Sequence, residues 1–299
     1  MSQANFDRQR RRLLIGGGAL ALSAFGVRAQ SRPPRRVIVV GGALAEVVYA
    51  LGAQHNPGML LVGADTTCTY PAAARALPKV GYQRTLSAEG LLSLRPDLML
   101  ASSEAGPPAA LAQVKQAGVE VLSFAERHDV DTARDKITGI AQALAMADAG
   151  RALQAQFERD WIQARAAVAA SPLAKRPQSL RVLFVLNQAG NRALAAGQQT
   201  AADAMLNYAG ARNALQGFNG YRPLSAEAVV AAAPDVILAT DEGLAAAGGP
   251  ASLLASPGFE ATPAGQAKRV IALDTLFLLG FGPRLPAAVT ELNQRLDRG

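Results

Sequence analysis

The chain has 299 residues, half of them hydrophobic and only 5% aromatic, and carries a formal net charge of +7. That length gives room for two lobes of ordinary domain size, and the composition excludes a disordered chain. The charge does not argue for nucleic acid. Residues 1–29 hold five arginines against one aspartate, so the remainder carries only +3, with no basic stripe interleaved with aromatics.

Arg10-Arg11-Arg12 precedes an apolar run from Leu13 to Val27, and Val27-Arg28-Ala29 ends on a small residue suited to signal-peptidase cleavage. A basic start, a short apolar centre and a small-residue end predict a secretory signal over 1–29 rather than a membrane span. Arg11-Arg12-Leu13-Leu14-Ile15 also fits a loose twin-arginine pattern, so Sec and twin-arginine export both stay open. No cysteine stands at the cleavage point, so no lipid anchor is expected there. No later stretch is apolar enough to cross a bilayer, and the expected product is soluble and outside the cytoplasm. The single cysteine, Cys68, leaves no intrachain disulfide, and packed cores must supply the stability.

Arg36 to Gly42 reads as a short buried strand ending in glycines, followed by helical spacing from Ala43 to Leu51. Gly41-Gly42-Ala43-Leu44-Ala45-Glu46 lacks the spacing of a nucleotide-binding fingerprint. Further strands are predicted at Met59–Val62, Asp97–Ala101 and Val119–Phe124, with helices at Ser87–Leu94 and Pro108–Ala117. This alternation predicts an α/β fold with a parallel sheet covered by helices. From Val130 to Ala170 there is no proline and little glycine, and the apolar spacing predicts one or two long helices, broken near Asp148-Ala149-Gly150. A helix over Ala149 to Ala170 would run about 30 Å, enough to pass from one lobe to another.

The first half then returns. Arg181-Val182-Leu183-Phe184-Val185-Leu186 echoes the strand at Arg36, and Gly81–Glu89 is echoed by Gly220–Glu227. Arg95-Pro96-Asp97-Leu98-Met99-Leu100-Ala101 returns as Ala233-Pro234-Asp235-Val236-Ile237-Leu238-Ala239, at the same offset of 138 residues. Two lobes of related topology joined by a long helix are the economical reading.

No catalytic centre is expected. His55 and His128 have no metal-ligand spacing, no G-x-S-x-G elbow occurs, and Cys68 has no histidine partner. No histidine is evident as a distal base for peroxide chemistry. Tyr70 is different, because it stands in a polar loop ahead of Pro71. Ferric iron, haem-held iron included, can take a phenolate whose charge the metal stabilises. A guanidinium near the oxygen would help, and Arg75, Arg84 and Arg222 are the candidates. Packing of Tyr70 against Pro71 is the bland alternative. Cys68, two residues earlier, falls on the same side in an extended loop and is a second candidate ligand, against the ordinary reading of a small packed hydrophobe. Glu89 and Glu227 hold equivalent positions, each after a Ser-Ala pair that suits a helix start; they either complement the helix dipole or offer one carboxylate per lobe to a basic partner.

Asp65-Thr66-Thr67-Cys68-Thr69-Tyr70-Pro71-Ala72-Ala73, Leu77–Glu89, Ala195–Met205 and Gly220–Glu227 together resemble the periplasmic haem-binding proteins of bacterial haem ABC importers. The similarity runs from about Arg36 to Leu296, and the Thr-x-Thr-Tyr-Pro block discriminates best. The resemblance implies two Rossmann-like lobes joined by a long rigid α-helix, the class III periplasmic binding protein architecture. Its expected segments are a first lobe over 36–147, a connecting helix over 148–171 and a second lobe over 178–299. It further implies ferric haem b as transported ligand, with Tyr70 on the iron and Arg222 at the phenolate oxygen or the propionates. Glu89 and Glu227 would meet an ABC permease at the inner membrane. The implied protein is a periplasmic monomer with no nucleic-acid partner. A cobalamin or ferric-siderophore binding protein of the same fold is the alternative.

Overall fold

A computed structural model describes residues 33–189 and 192–298. The predicted secretory signal over 1–29 lies outside the described residues. Ten strands are described: β1 Arg35–Val40, β2 Met59–Ala64, β3 Leu98–Ser102, β4 Glu120–Phe124, β5 Arg181–Ala189, β6 Arg192–Ala196, β7 Arg212–Asn213, β8 Tyr221–Pro223, β9 Val236–Thr240 and β10 Val270–Leu273. They form two sheets. The first has the order β2-β1-β3-β4 and is wholly parallel. The second has the order β10-β9-β5-β6-β8, with β7 pairing parallel to the start of β5 on the edge away from β9.

Set side by side, β2-β1-β3-β4 and β7-β5-β9-β10 are one topology used twice, as the internal echo predicts. The likeness reaches individual atoms. In the first lobe Arg36 N donates to Asp97 Oδ2 at 2.8 Å while Asp97 N donates to Arg36 O at 2.8 Å. In the second, Arg181 N donates to Asp235 Oδ2 at 2.9 Å and Asp235 N to Arg181 O at 2.8 Å. Arg95 and Ala233, 138 residues apart, both take left-handed backbone, φ 47° and 41°, where a helix ends ahead of a proline. The second lobe departs from the repeat in one respect: β5 runs on into the antiparallel pair β5–β6, and β8 joins its edge.

The inner strands β1, β3 and β9 are buried on both faces, which is why they read as near-continuous apolar runs. Alternation divides them: Val37 and Val39 join a core shared with Val182, Phe184, Ile137 and Phe157, whereas Ile38 and Val40 join a core confined to the first lobe. The shared core is what fastens the lobes together.

The expected long helix is present as Ala147–Ala170, about 36 Å long, packed between the helices Val130–Ala143 and Leu285–Asp297. The break lies at Leu144–Met146, where Ala145 has φ 54°, and not near Asp148–Gly150. Gly150 has another use. A Cβ there would stand 2.4 Å from Ala141 Cβ, so the glycine lets two helices cross closely and does not interrupt one. No helix among the described residues is long and apolar enough to cross a membrane.

Candidate ligand-binding cleft

Loops leaving the carboxyl ends of the parallel strands of both sheets enclose a cavity of about 340 Å³. Gly41 follows β1, Thr67 and Thr69 follow β2, Ser102 and Glu104 belong to the end of β3, and Glu126 and His128 follow β4. The second lobe adds Glu242 after β9 and Thr275, Leu276, Leu279 and Gly280 after β10. Strand ends of open α/β sheets are the usual ligand crevice, because loops there converge without opening the ladder.

The β2 loop is built around Asp65, which is fully buried. Its carboxylate accepts from Gly41 N at 2.8 Å, Thr67 N at 3.0 Å and Thr67 Oγ1 at 2.9 Å. The Cys68 thiol donates to the same carboxylate at 3.1 Å. Cys68 is therefore inside the protein, and burial followed by the adjacent Asp65 charge pushes its thiol well above the usual range. The expectation that it shares a side with Tyr70 is corrected: Cys68 is fully buried and donates to the Asp65 carboxylate, whereas Tyr70 is exposed. Gly41 and Gly42 answer to packing and not to a nucleotide. A Cβ on Gly42 would lie 2.5 Å from Thr67 O and 2.6 Å from Leu276 Cδ1 of the other lobe.

Tyr70 follows Thr69 of the cavity wall and is 48% exposed, not entombed. The guanidinium against it is none of the three arginines expected. Arg284, from the second lobe, lies with its Cζ 3.8 Å from the Tyr70 ring centroid and 5.0 Å from that of Phe277. It also donates from Nε to Glu46 Oε1 at 3.0 Å, and its Nη2 donates to the same oxygen. Glu46 is buried, and that burial raises its carboxyl above the ordinary range although Arg284 opposes the shift. The contact pairs residues 238 positions apart and no local motif announces it.

Arg75 reaches back to Thr69 O at 3.0 Å and braces the loop. Arg84 pairs with Glu104 and touches the Tyr82 hydroxyl at 3.3 Å, so the cleft carboxylate already takes up its charge. Arg222, on β8, stacks over Phe218 at 4.9 Å and has no ion-pair partner among the described residues. Neither Arg75, Arg84 nor Arg222 is joined to the Tyr70 side chain. Beside Arg222, Tyr221 is pushed up to about 12 by burial and then by the Glu104 carboxylate across the cleft.

His128 lines the cavity with φ 57° and a ring centroid 5.7 Å from that of Phe281. No local motif predicts a histidine on this wall. A search for local ligand spacing passes over a lone histidine that one loop carries to the wall. Glu126, also on the wall, pairs at 2.7 Å with Lys136, which is 1% exposed and donates to Gly280 O at 3.2 Å and Phe281 O at 3.4 Å in the other lobe.

Glu89 and Glu227 are both exposed in the first turns of the helices Ala88–Ser93 and Ala226–Ala232. Ser87 Oγ accepts from Gly90 N and Ser225 Oγ from Ala228 N, as their placement predicts. Each helix runs back to the start of the next strand, so its N-terminus points to the cleft end of its lobe.

A family model described as periplasmic binding protein matches residues 37–275. The structure of the periplasmic haem-binding protein BhuT in complex with two haems is 68% identical, with a TM-score of 0.86, covering 89% of this chain and 98% of that one. Ligand-free RhuT from Roseiflexus sp. RS-1, also a periplasmic haem-binding protein, is 40% identical over the same shares with a TM-score of 0.82. An uncharacterised ABC transporter substrate-binding lipoprotein of Bacillus subtilis, YvrC, is 28% identical over 80% of this chain and 74% of its own length. This chain therefore belongs to the periplasmic binding protein family, with the class III fold of two Rossmann-like lobes and a connecting helix, and the members it matches at 40% and 68% identity are periplasmic haem-binding proteins.

Proposed function

We propose that the chain binds ferric haem b in the cleft between its lobes, with the Tyr70 phenolate on the iron, and delivers it to an inner-membrane ABC permease. The observation that carries this reading is an exposed tyrosine next to a cavity-wall residue with a guanidinium over its ring, in a chain 68% identical to a protein solved with haem. Ferric iron favours the phenolate form, and a neighbouring cation favours it further. The apolar wall Leu276 and Leu279 suits a porphyrin face. Propionates are repelled by the wall carboxylate Glu242, which has no ion-pair partner among the described residues, and are drawn to Arg222, a second-lobe cation likewise without one there. Arg84, already neutralised by Glu104, is the poorer partner for them.

The protein acts as a monomeric carrier in the periplasm, exported by a Sec or twin-arginine signal over 1–29, and not as an enzyme. Glu89 and Glu227, one per lobe and both at the cleft end, meet basic groups of the permease. The lobes are taken as 36–147 and 178–299, with 148–171 as the connector. A siderophore or cobalamin cargo is the weaker reading: siderophore pockets favour several arginines and tryptophans, and Trp161, the one tryptophan, packs edge-on against Tyr208 at 5.1 Å on the connecting helix. Titration of wild type and Tyr70→Ala with ferric haem tests the proposal. The wild type is expected to give the absorption bands of high-spin ferric haem with a tyrosinate ligand, and the variant to lose them. A Tyr70→Ala spectrum identical to wild type would refute the assignment.

A further inference from the structure

We infer that Arg284 is a positioning residue for the iron-ligating tyrosine, reaching Tyr70 from the opposite lobe; this rests on the haem reading above. The guanidinium carbon lies over the Tyr70 ring at 3.8 Å and over the Phe277 ring at 5.0 Å. Stacking on a ring face sets the plane of the phenol without engaging its oxygen, which is left for the metal. Arginine does this where lysine does not, because its charge is spread over a plane that can stack and hydrogen-bond at once.

Its other edge is tied down. Nε and Nη2 both donate to Glu46 Oε1, and the carboxylate is nearly sealed from water. The backbone at Gly282 closes that seal, since a Cβ there would come 2.9 Å from Glu46 Oε2. Glu46 belongs to the helix Gly42–Ala50 of the first lobe, so the chain of contact runs first lobe, second lobe, first lobe. The Tyr70 ring is thereby held by a group whose place depends on the distance between lobes. Moving the lobes apart withdraws the guanidinium from the ligand, weakening the iron bond as the cleft opens.

The test uses the mature chain loaded with ferric haem, and reads the tyrosinate-to-iron charge-transfer band, the phenolate Raman modes, and haem transfer to excess apomyoglobin. Arg284→Gln is expected to shift the band and raise the transfer rate about three- to thirty-fold, the span of one desolvated cation–π contact. Arg284→Lys, which keeps the charge and loses the plane, falls between that variant and wild type. Glu46→Gln shifts both readouts in the same direction by less. A folded Arg284→Gln with the wild-type band and a transfer rate within about twofold overturns the inference. If that variant does not fold, Arg284→Lys and Glu46→Gln decide it, and unchanged bands and rates in both overturn it equally. A wild type with no tyrosinate band would instead defeat the haem reading beneath it, an outcome seen before any Arg284 variant is made.

Discussion

Lys136 offers the sharpest test of how the lobes are held together. Its ammonium is 1% exposed and has three donors for three acceptors: Glu126 Oε2 at 2.7 Å, Gly280 O at 3.2 Å and Phe281 O at 3.4 Å. Lys136→Met fills nearly the same volume, so the loss is electrostatic and carries almost no cavity component. It leaves two carbonyls without their cation and Glu126, whose side chain is only 16% exposed, without its counter-ion. Breaking a buried pair by removing one partner costs about 3–5 kcal/mol, more than the pair itself contributes, because the remaining charge stays desolvated. With a urea slope of about 3 kcal/mol/M, the midpoint should fall by about 1–1.7 M. Glu126→Gln should cost about 1–2 kcal/mol, since an amide still accepts from the ammonium. The double variant should be no worse than Lys136→Met alone, for the stranded carboxylate is gone. Urea melts of the four proteins, followed by circular dichroism, check this. A Lys136→Met loss under about 1 kcal/mol, or strict additivity in the double variant, would refute the reasoning.

Three further outcomes are expected. Gly150→Ala should gain about 1 kcal/mol in helix propensity yet lose more to the clash with Ala141 Cβ at 2.4 Å, a net loss of about 1–2 kcal/mol; a higher melting temperature would contradict it. Asp235 is held below the ordinary aspartate range, first by the Arg181 guanidinium, so the stability it adds is present above about pH 4 and is lost as pH falls through the lower folded-state value. Asp235→Asn should therefore be less stable than wild type at pH 7, and the gap should narrow as pH is lowered below about 4, by urea midpoints at each pH. Reversing Glu89 and Glu227 to lysine should leave the haem spectrum unchanged and cut permease-driven uptake into proteoliposomes about tenfold or more. Undiminished uptake would remove these residues from the docking surface.

What could be read from the chain alone follows the range of the interactions involved. The repeat was legible because its serine caps and left-handed turns are local and recur with their neighbours, and because both members of each Arg-to-Asp clamp, Arg36–Asp97 and Arg181–Asp235, lie in segments that return in the same order. Tyr70 stood out because it belongs to a compact Thr-x-Thr-Tyr-Pro run, and the structure adds that its side chain is exposed beneath Arg284. Where a single residue has two uses, local reading decided unevenly. Gly150 looked like a break and is a helix crossing, whereas the ordinary reading of Cys68 as a small packed hydrophobe agrees with its burial. The edge pairing of β6 and β8 passed unread, since a three-residue strand that ends on a proline has no periodicity to detect. Arg284, Lys136 and His128 carry no local signature. Their partners stand 238 and 144 residues away, or across the cleft, and each is a residue type found on any surface.

These unread contacts share a place. The loop after β4 carries Glu126 and His128; the loop after β10, its topological counterpart, leads to Gly280, Phe281 and Arg284. The two meet at the cleft: Lys136 bridges Glu126 to the carbonyls of Gly280 and Phe281, the His128 and Phe281 rings face each other, and Arg284 crosses to Glu46 and Tyr70. Duplication supplied two copies of a strand-end loop, and the junction formed where the copies face one another is also the wall of the ligand cavity. Stability between lobes and fit to the ligand are then not separable quantities here. Lys136 does not itself line the cavity, yet its replacement by methionine should quicken haem release along with lowering the urea midpoint, because the segment from Gly280 to Arg284 that it anchors is the one that places the guanidinium on Tyr70. A Lys136→Met protein that unfolds early and still holds haem at the wild-type rate would break that coupling.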